Sequence, residues 1–227
     1  ILLQNCRQAR LNGNEIEITG EIAHQMAKVL KLEIGEQVEL CDGKGTNAQG
    51  KITKLSKNST IVEIEKITKE SPAQKSATLF CAVLKKENFE LVVQKATECG
   101  IQKIIPIITT RTVKTGLNME RLQKIAKEAC EQSGRNYLPE ICEPVTFEES
   151  LEIAKQNDTN IIFDSSGEVF LGNTNSKKIG IFIGPEGGWT TEEIKKATEK
   201  NFSVASLGTN TLRGETAAII ASFLVVQ

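Results

Sequence analysis

Histidine is almost missing from this sequence, with His24 as its sole example. The six cysteines, at positions 6, 41, 81, 99, 130 and 142, form no C-x-x-C pair. Zinc needs such ligands in clusters, so no metal site is expected. Most of the cysteines lie in apolar segments and read as small core residues. Also missing is an apolar run long enough to span a bilayer, since the longest lies near residues 217–226. No signal peptide is visible, so we expect a cytoplasmic protein in a reducing compartment. Charge of one sign is lacking too: Lys and Arg number 28 against 29 Asp and Glu, a net charge of -1. Total charge therefore does not announce a nucleic-acid binder. There are no internal repeats and no low-complexity tracts.

The common nucleotide fingerprints are absent as well. No G-x-G-x-x-G follows a strand-like run, and no glycine-rich loop ends in Lys-Ser/Thr to hold a phosphate and its metal. What the chain has instead is a pair of glycine-containing turns. The first is Ile181-Phe182-Ile183-Gly184-Pro185-Glu186-Gly187-Gly188-Trp189; the second is Leu207-Gly208-Thr209-Asn210-Thr211-Leu212-Arg213-Gly214-Glu215-Thr216. Each leaves a short apolar run, passes through turn formers and enters a helix-like run. Gly184, Gly187 and Gly188 permit positive φ and leave space where a side chain would block a ligand. Thr190-Thr191-Glu192-Glu193 predicts a capping box, with Thr190 as N-cap. One such turn is ordinary. Two side by side predict a backbone-lined cleft at the C-terminal ends of parallel strands.

The length, 227 residues, allows two modest domains. Residues 1–70 are β-rich: Glu15-Ile16-Glu17-Ile18 and Gln37-Val38-Glu39-Leu40 alternate with period two, and Asp42-Gly43 signals a hairpin. Ile52 with Leu55, and Val62 with Ile64, mark two more strands. Ile22, Met26, Val29 and Leu30 recur at helical spacing between the first two. Short strands with frequent turns predict a compact barrel. A polar stretch broken by proline, residues 68–74, marks the domain boundary.

From residue 75 onward strand and helix patterns alternate. Residues 77–84 and 101–108 read as buried strands. Phe89, Val92, Val93 and Ala96 form one face of a helix that Gly100 ends. Leu122, Ile125, Ala126, Ala129 and Cys130 mark a second helix, closed near Gly134. Residues 141–145 and 160–164 read as strands flanking a helical stretch over 147–157. This alternation predicts a mostly parallel sheet covered on both faces. Residues 95–135 carry eight basic side chains (Lys95, Lys103, Arg111, Lys114, Arg121, Lys124, Lys127, Arg135) against Glu98, Glu120, Glu128 and Glu131. The excess suits either a phosphate-facing surface or a solvated helix face.

The two turns together, Ile-Gly-Pro-Glu-Gly-Gly and Leu-Gly-x-x-x-Leu-Arg-x-Glu-Thr-Ala, resemble the ribosomal RNA small subunit methyltransferase E family of the SPOUT class. Gln94-Lys95-Ala96-Thr97-Glu98-Cys99-Gly100 and Glu128-Ala129-Cys130-Glu131-Gln132-Ser133-Gly134-Arg135 extend the likeness, as do His24, Val29-Leu30-Lys31 and Asp42-Gly43. The resemblance implies a SPOUT-type α/β domain over residues 75–227, with a C-terminal trefoil knot, preceded over residues 1–70 by a PUA-like β-barrel that contacts RNA. It implies S-adenosylmethionine (SAM) as cofactor, held by Ile183, Gly184, Pro185, Glu186, Gly187, Gly188, Leu207, Gly208, Leu212, Glu215 and Thr216. It implies 16S ribosomal RNA, within the small ribosomal subunit, as partner, and methylation of a uridine at N3. His24, Lys31, Lys95 and Arg135 become RNA-contact candidates, with Gln132 on an RNA-facing or subunit-facing surface. Lys31 stands where the family more often has arginine, keeping charge but losing the fork.

The imide proton on N3 must leave before that nitrogen can attack a methyl group, and negative charge then spreads to the uracil oxygens. Arg213 is placed to stabilise it with a planar fork of donors. Glu186 and Glu215 are the carboxylates in the turns, and Glu215 also suits the first turn of a helix. Asn210 and Gly214 depart from the family's Arg-x-Leu-Arg-Thr. The family pairs into homodimers, and residues 216–226 form an all-round apolar helix that needs cover on every side. The alternatives are a non-catalytic RNA-binding protein on a degenerate methyltransferase scaffold and a dinucleotide-dependent oxidoreductase.

Overall fold

The computed structural model describes residues 1, 9–12, 14–71, 73–113, 116–172 and 174–227. Cys6, Pro72 of the polar linker and Lys114 of the basic run lie outside the described residues. The chain divides into two compact units: Ile1–Pro72 with Gly134–Tyr137, and Ala73–Ser133 with Leu138–Gln227.

The first unit contains β1 (Ala9–Asn12), β2 (Glu15–Thr19), α1 (Gly20–His24), β3 (Gln37–Cys41), β4 (Thr46–Leu55) and β5 (Ser59–Lys69). The strands pair antiparallel in the order β1-β2-β5-β4-β3. Period-two alternation delivers Ile18, Leu40, Ile52 and Val62 to one core, with Ile22 and Met26 from the helical segment above them. β5 takes in Thr68 and Lys69, so the strand runs into the stretch whose composition suggested a linker.

The expected helical segment forms, but its apolar stripe stops at Met26. Residues Gln25–Val29 form a π-turn, with Leu30 N–H donating to Gln25 O at 2.9 Å. A π-turn adds a residue per turn and rotates the residues after it off the buried stripe. Val29 and Leu30 are accordingly 67% and 48% exposed rather than packed.

Residues Gly134–Tyr137 complete this unit from far along the chain. Tyr137 Oη donates to Glu70 O at 2.6 Å, and Gly45 N–H donates to Asn136 O at 2.9 Å. Asn136 Nδ2 donates to Glu70 Oε2 at 2.8 Å. Gly45 has φ +92°, and a Cβ there would lie 2.2 Å from Tyr137 Oη. Only glycine fits both constraints.

The second unit runs β6 (Ser76–Ala82), α2 (Lys86–Cys99), β7 (Lys103–Ile108), α3 (Met119–Ser133), β8 (Glu140–Ile141), β9 (Val145–Thr146), α4 (Phe147–Ile153), β10 (Thr159–Val169), β11 (Lys178–Ile183), α5 (Thr191–Glu199), β12 (Ser203–Ser206) and α6 (Gly214–Val226). Its sheet order is β12-β10-β11-β6-β7-β8, with β9 also on β7, and the pairings are parallel. Near-continuous apolar strands arise because both faces are covered. Leu79, Cys81, Ile179, Ile181 and Ile183 face one core, and Phe80, Ala82 and Phe182 the other, where Phe80 and Phe182 stack 4.3 Å apart. Gly100 ends α2 in the left-handed region at φ +102°.

The strand expected over 141–145 is instead two short bridges to β7. Between them Pro144 has no N–H to give the ladder. Among the described residues no helix is long and apolar enough to cross a membrane.

Candidate active site

The two turns lie at the C-terminal ends of β11 and β12, neighbours of β10 on either side. With residues 163–165 of β10 they enclose a cleft of about 640 Å³, within the range of small-molecule sites. Ile183, Gly184, Pro185, Glu186, Gly187, Gly188, Leu207, Gly208, Leu212, Arg213 and Glu215 all line it. Thr216, one residue further into α6, does not.

Gly188 meets the expectation of positive φ, whereas Gly184 and Gly187 serve another end. Only Gly188 (φ +68°) and Gly208 (φ +120°) need the left-handed region. At Gly184 a Cβ would lie 3.1 Å from the Trp189 ring, and at Gly187 it would lie 3.3 Å from Arg111 Cδ. Those two leave room for neighbouring side chains of the protein itself. Gly214, where the family more often has threonine, lies where a Cβ would meet Leu84 at 3.0 Å.

The first turn is anchored by its own sequence. Thr190 caps α5 and Glu193 closes the capping box, as the pattern predicts. Trp189 is buried, its Nε1 donating to Phe163 O at 3.0 Å and its ring tilted against Phe147. Trp189→Phe would remove this bond to the Phe163 carbonyl; we expect a loss of about 1–3 kcal/mol, read as a melting-temperature fall of several degrees. An unchanged melting temperature would show that the bond contributes nothing.

The cleft is rich in carboxylates. Asp164 accepts from Ser166 N at 2.9 Å and Ser166 Oγ at 2.6 Å, while Glu186 Oε1 accepts from Lys85 N at 3.2 Å. Glu215 is only 8% exposed, and its Oε2 has no hydrogen-bond partner among the described residues. A buried acceptor without a donor costs about 1–3 kcal/mol, which makes a ligand N–H or O–H welcome here. Burial, and after it the Glu186 and Glu215 charges, pushes the Cys81 thiol far up, so Cys81 is an inert core residue and not a nucleophile. Arg213 is the N-cap residue of α6, exposed, and its guanidinium has no partner among the described residues. Among those residues no cluster of three metal-ligating side chains occurs.

The RNA-contact candidates are not gathered here. His24 and Lys31 are exposed on the first unit, Lys31 in the left-handed region at φ +52°. Arg135 belongs to that unit too, half-buried. Lys95 lies on α2 in the second unit and pairs with Glu98 at 2.9 Å, while Gln132 is exposed at the end of α3. Part of the basic excess of residues 95–135 is consumed internally. Lys103 pairs with Glu140, Arg121 forks onto Glu90, and Arg111 donates to backbone carbonyls.

Lys85, Asn88, Asp164 and Ser165 line the cleft without having been singled out from the sequence. For Asp164 a signal existed. Phe163-Asp164-Ser165-Ser166-Gly167 repeats the pattern of an apolar run ending in small polar residues.

A fold of this kind, with its cleft at the strand ends, defines an RNA methyltransferase domain: that family model matches residues 69–226, and an RNA methyltransferase PUA domain model matches residues 18–65. The chain is 33% identical over 206 residues to the Ribosomal RNA small subunit methyltransferase E of Rickettsia conorii, covering 87% of this chain and 83% of that one. It is 31% identical over 223 residues to the protein of that name from Bacillus subtilis, covering 90% and 86%. The crystal structure of a Ribosomal RNA small subunit methyltransferase E from Neisseria gonorrhoeae bound to S-adenosyl methionine superposes with a TM-score of 0.84 at 30% identity, covering 98% of this chain and 94% of that one. The chain belongs to the ribosomal RNA small subunit methyltransferase E family.

Proposed function

We propose that this protein transfers the methyl group of SAM to N3 of a uridine in 16S ribosomal RNA, within the small ribosomal subunit and hence in the cytoplasm. The observation that carries the reading is the meeting of the two family turns around one cleft whose buried acceptor, Glu215 Oε2, lacks a donor among the described residues. SAM bears an ammonium and a sulfonium, and the Asp164, Glu186 and Glu215 carboxylates suit that charge. When bound it supplies an electrophilic methyl group. The backbone of residues 184–188 and 207–212 would hold it.

The chain's own contribution is positioning and charge stabilisation. Arg213, free of other partners among the described residues, donates to the uracil oxygen on which charge accumulates as N3 loses its proton. The positive N-terminal end of α6 adds to that field. His24 and Lys31, exposed beside the uncovered Val29 and Leu30, fit RNA contact by the first unit.

The test is calorimetric titration with SAM and with NAD, followed by mass analysis of RNA for 3-methyluridine. Saturable SAM binding, no NAD binding and 3-methyluridine in 16S RNA are expected. Binding without methyl transfer would mean a non-catalytic RNA-binding protein, and absence of SAM binding would remove the cofactor assignment.

We further propose a homodimer through the second unit. Phe223 on α6 is 53% exposed, and Val169 and Leu171 at 53% and 78% extend the apolar surface. A Cβ on Gly172 would lie 3.2 Å from Leu224 O, which puts that segment beside α6. Such a patch marks an interface. Phe223→Asp should convert a dimer into a monomer in sedimentation at micromolar concentration. A wild-type monomer would end this proposal.

A further inference from the structure

The cleft's first turn is gripped from behind by the loop that follows β7. Arg111 Nη1 donates to Gly187 O at 2.6 Å and to Trp189 O at 3.1 Å, on either side of the left-handed Gly188. The preceding residue, Thr110, donates its N–H to Glu193 Oε1 at 2.9 Å. The other oxygen of Glu193 receives Thr190 N at 2.8 Å and Thr190 Oγ1 at 3.0 Å. Glu193 is buried. One carboxylate therefore caps α5 and ties that cap to the loop after β7.

These bonds hold particular peptide planes at both ends. In the plane joining residues 187 and 188, the carbonyl goes to Arg111 and the Gly188 N–H goes to Pro185 O at 2.8 Å. In the plane joining 189 and 190, the carbonyl goes to Arg111 and the Thr190 N–H to Glu193. A peptide bonded on both sides cannot flip without breaking two hydrogen bonds. The turn is also shaped around the aliphatic stem of Arg111, since a Cβ on Gly187 would press on its Cδ at 3.3 Å. Arg111 itself does not line the cleft.

We propose that Arg111, assisted by Glu193, is a positioning residue that fixes the turn of residues 184–189 in its cofactor-binding shape. The inference rests on the reading that SAM occupies the cleft. Pre-setting the turn removes an ordering cost that binding must otherwise meet. Charged-donor hydrogen bonds of this kind convert to a roughly 10–100-fold change in affinity.

The test measures SAM affinity, steady-state kinetics and melting temperature for Arg111→Ala and Arg111→Lys in the full chain. Arg111→Ala should raise the Kd and KM for SAM by about tenfold or more, with a much smaller change in kcat and none in KM for RNA. Arg111→Lys, which keeps a charged donor, should recover part of the loss, and added guanidinium should recover part of it in Arg111→Ala. A folded Arg111→Ala protein with wild-type SAM affinity overturns the proposal, and so does a defect confined to KM for RNA. Should the wild type not bind SAM, the cofactor reading fails instead. The positioning claim is then decided by hydrogen exchange at the Gly188 amide, which must accelerate in Arg111→Ala while the β11 amides do not.

Discussion

Arg213→Ala should lower single-turnover methylation by about 10²–10³ while SAM affinity stays near that of the wild type. The guanidinium is exposed at the cleft and has no partner among the described residues, so it is not holding the second turn to the sheet. What it can hold is a ligand. An interaction made as charge develops appears in the rate of the chemical step and hardly in cofactor binding. Arg213→Lys should recover only part of the rate, because a point charge does not reproduce the planar fork. A structural arginine would behave otherwise: melting temperature and SAM affinity would fall together. A variant that is stable, binds SAM normally and methylates at the wild-type rate would remove Arg213 from both roles.

Gly45→Ala should destabilise the first unit by about 2–4 kcal/mol, with accelerated hydrogen exchange along β3 and β4. Two effects add. The left-handed backbone at φ +92° strains any residue with a Cβ, and the new methyl would sit 2.2 Å from Tyr137 Oη. Tyr137 cannot simply move aside, because its hydroxyl is bonded to Glu70 O. Adding Tyr137→Ala removes the clash but not the strain, so the double variant should lose less than the sum of the two single ones. Gly116→Ala, where no atom of the described residues lies within 4 Å of the added Cβ, is the control that should change little. Wild-type exchange in Gly45→Ala would show that the contact with Tyr137 carries no stability.

Local pattern made much of the second unit legible. The Thr190–Glu193 capping box, the αL end of α2 at Gly100 and the two-sided strands each arise from a few adjacent residues. The cleft turns were legible for the same reason. The positive φ of Gly188 was legible too, but the purposes of Gly184 and Gly187 were not, because Trp189 and Arg111 approach them only in three dimensions. Arg111 looked like one member of a basic run, yet its partners lie 76 and 78 positions away. The π-turn after α1 hid for a different reason: Val29 and Leu30 keep an apolar helical spacing that one extra residue per turn turns outward. Family resemblance supplied the chemistry, and side-chain geometry supplied the Arg213 guanidinium and the Glu215 Oε2, both without a partner among the described residues.

The membership of Gly134–Tyr137 in the first unit also sets an order of events during synthesis. A ribosome releasing this chain has already made β6, α2, β7 and α3 before Tyr137 emerges to meet Glu70 and Gly45. The N-terminal unit thus waits for its last contacts until a large part of the second is already outside the tunnel. Domain-by-domain folding from the N-terminus is the usual course for nascent chains, and here the first unit gains its last native contacts only after much of the second has been made. A nascent chain stalled before residue 134 lacks the three hydrogen bonds that Asn136 and Tyr137 bring to Gly45 and Glu70.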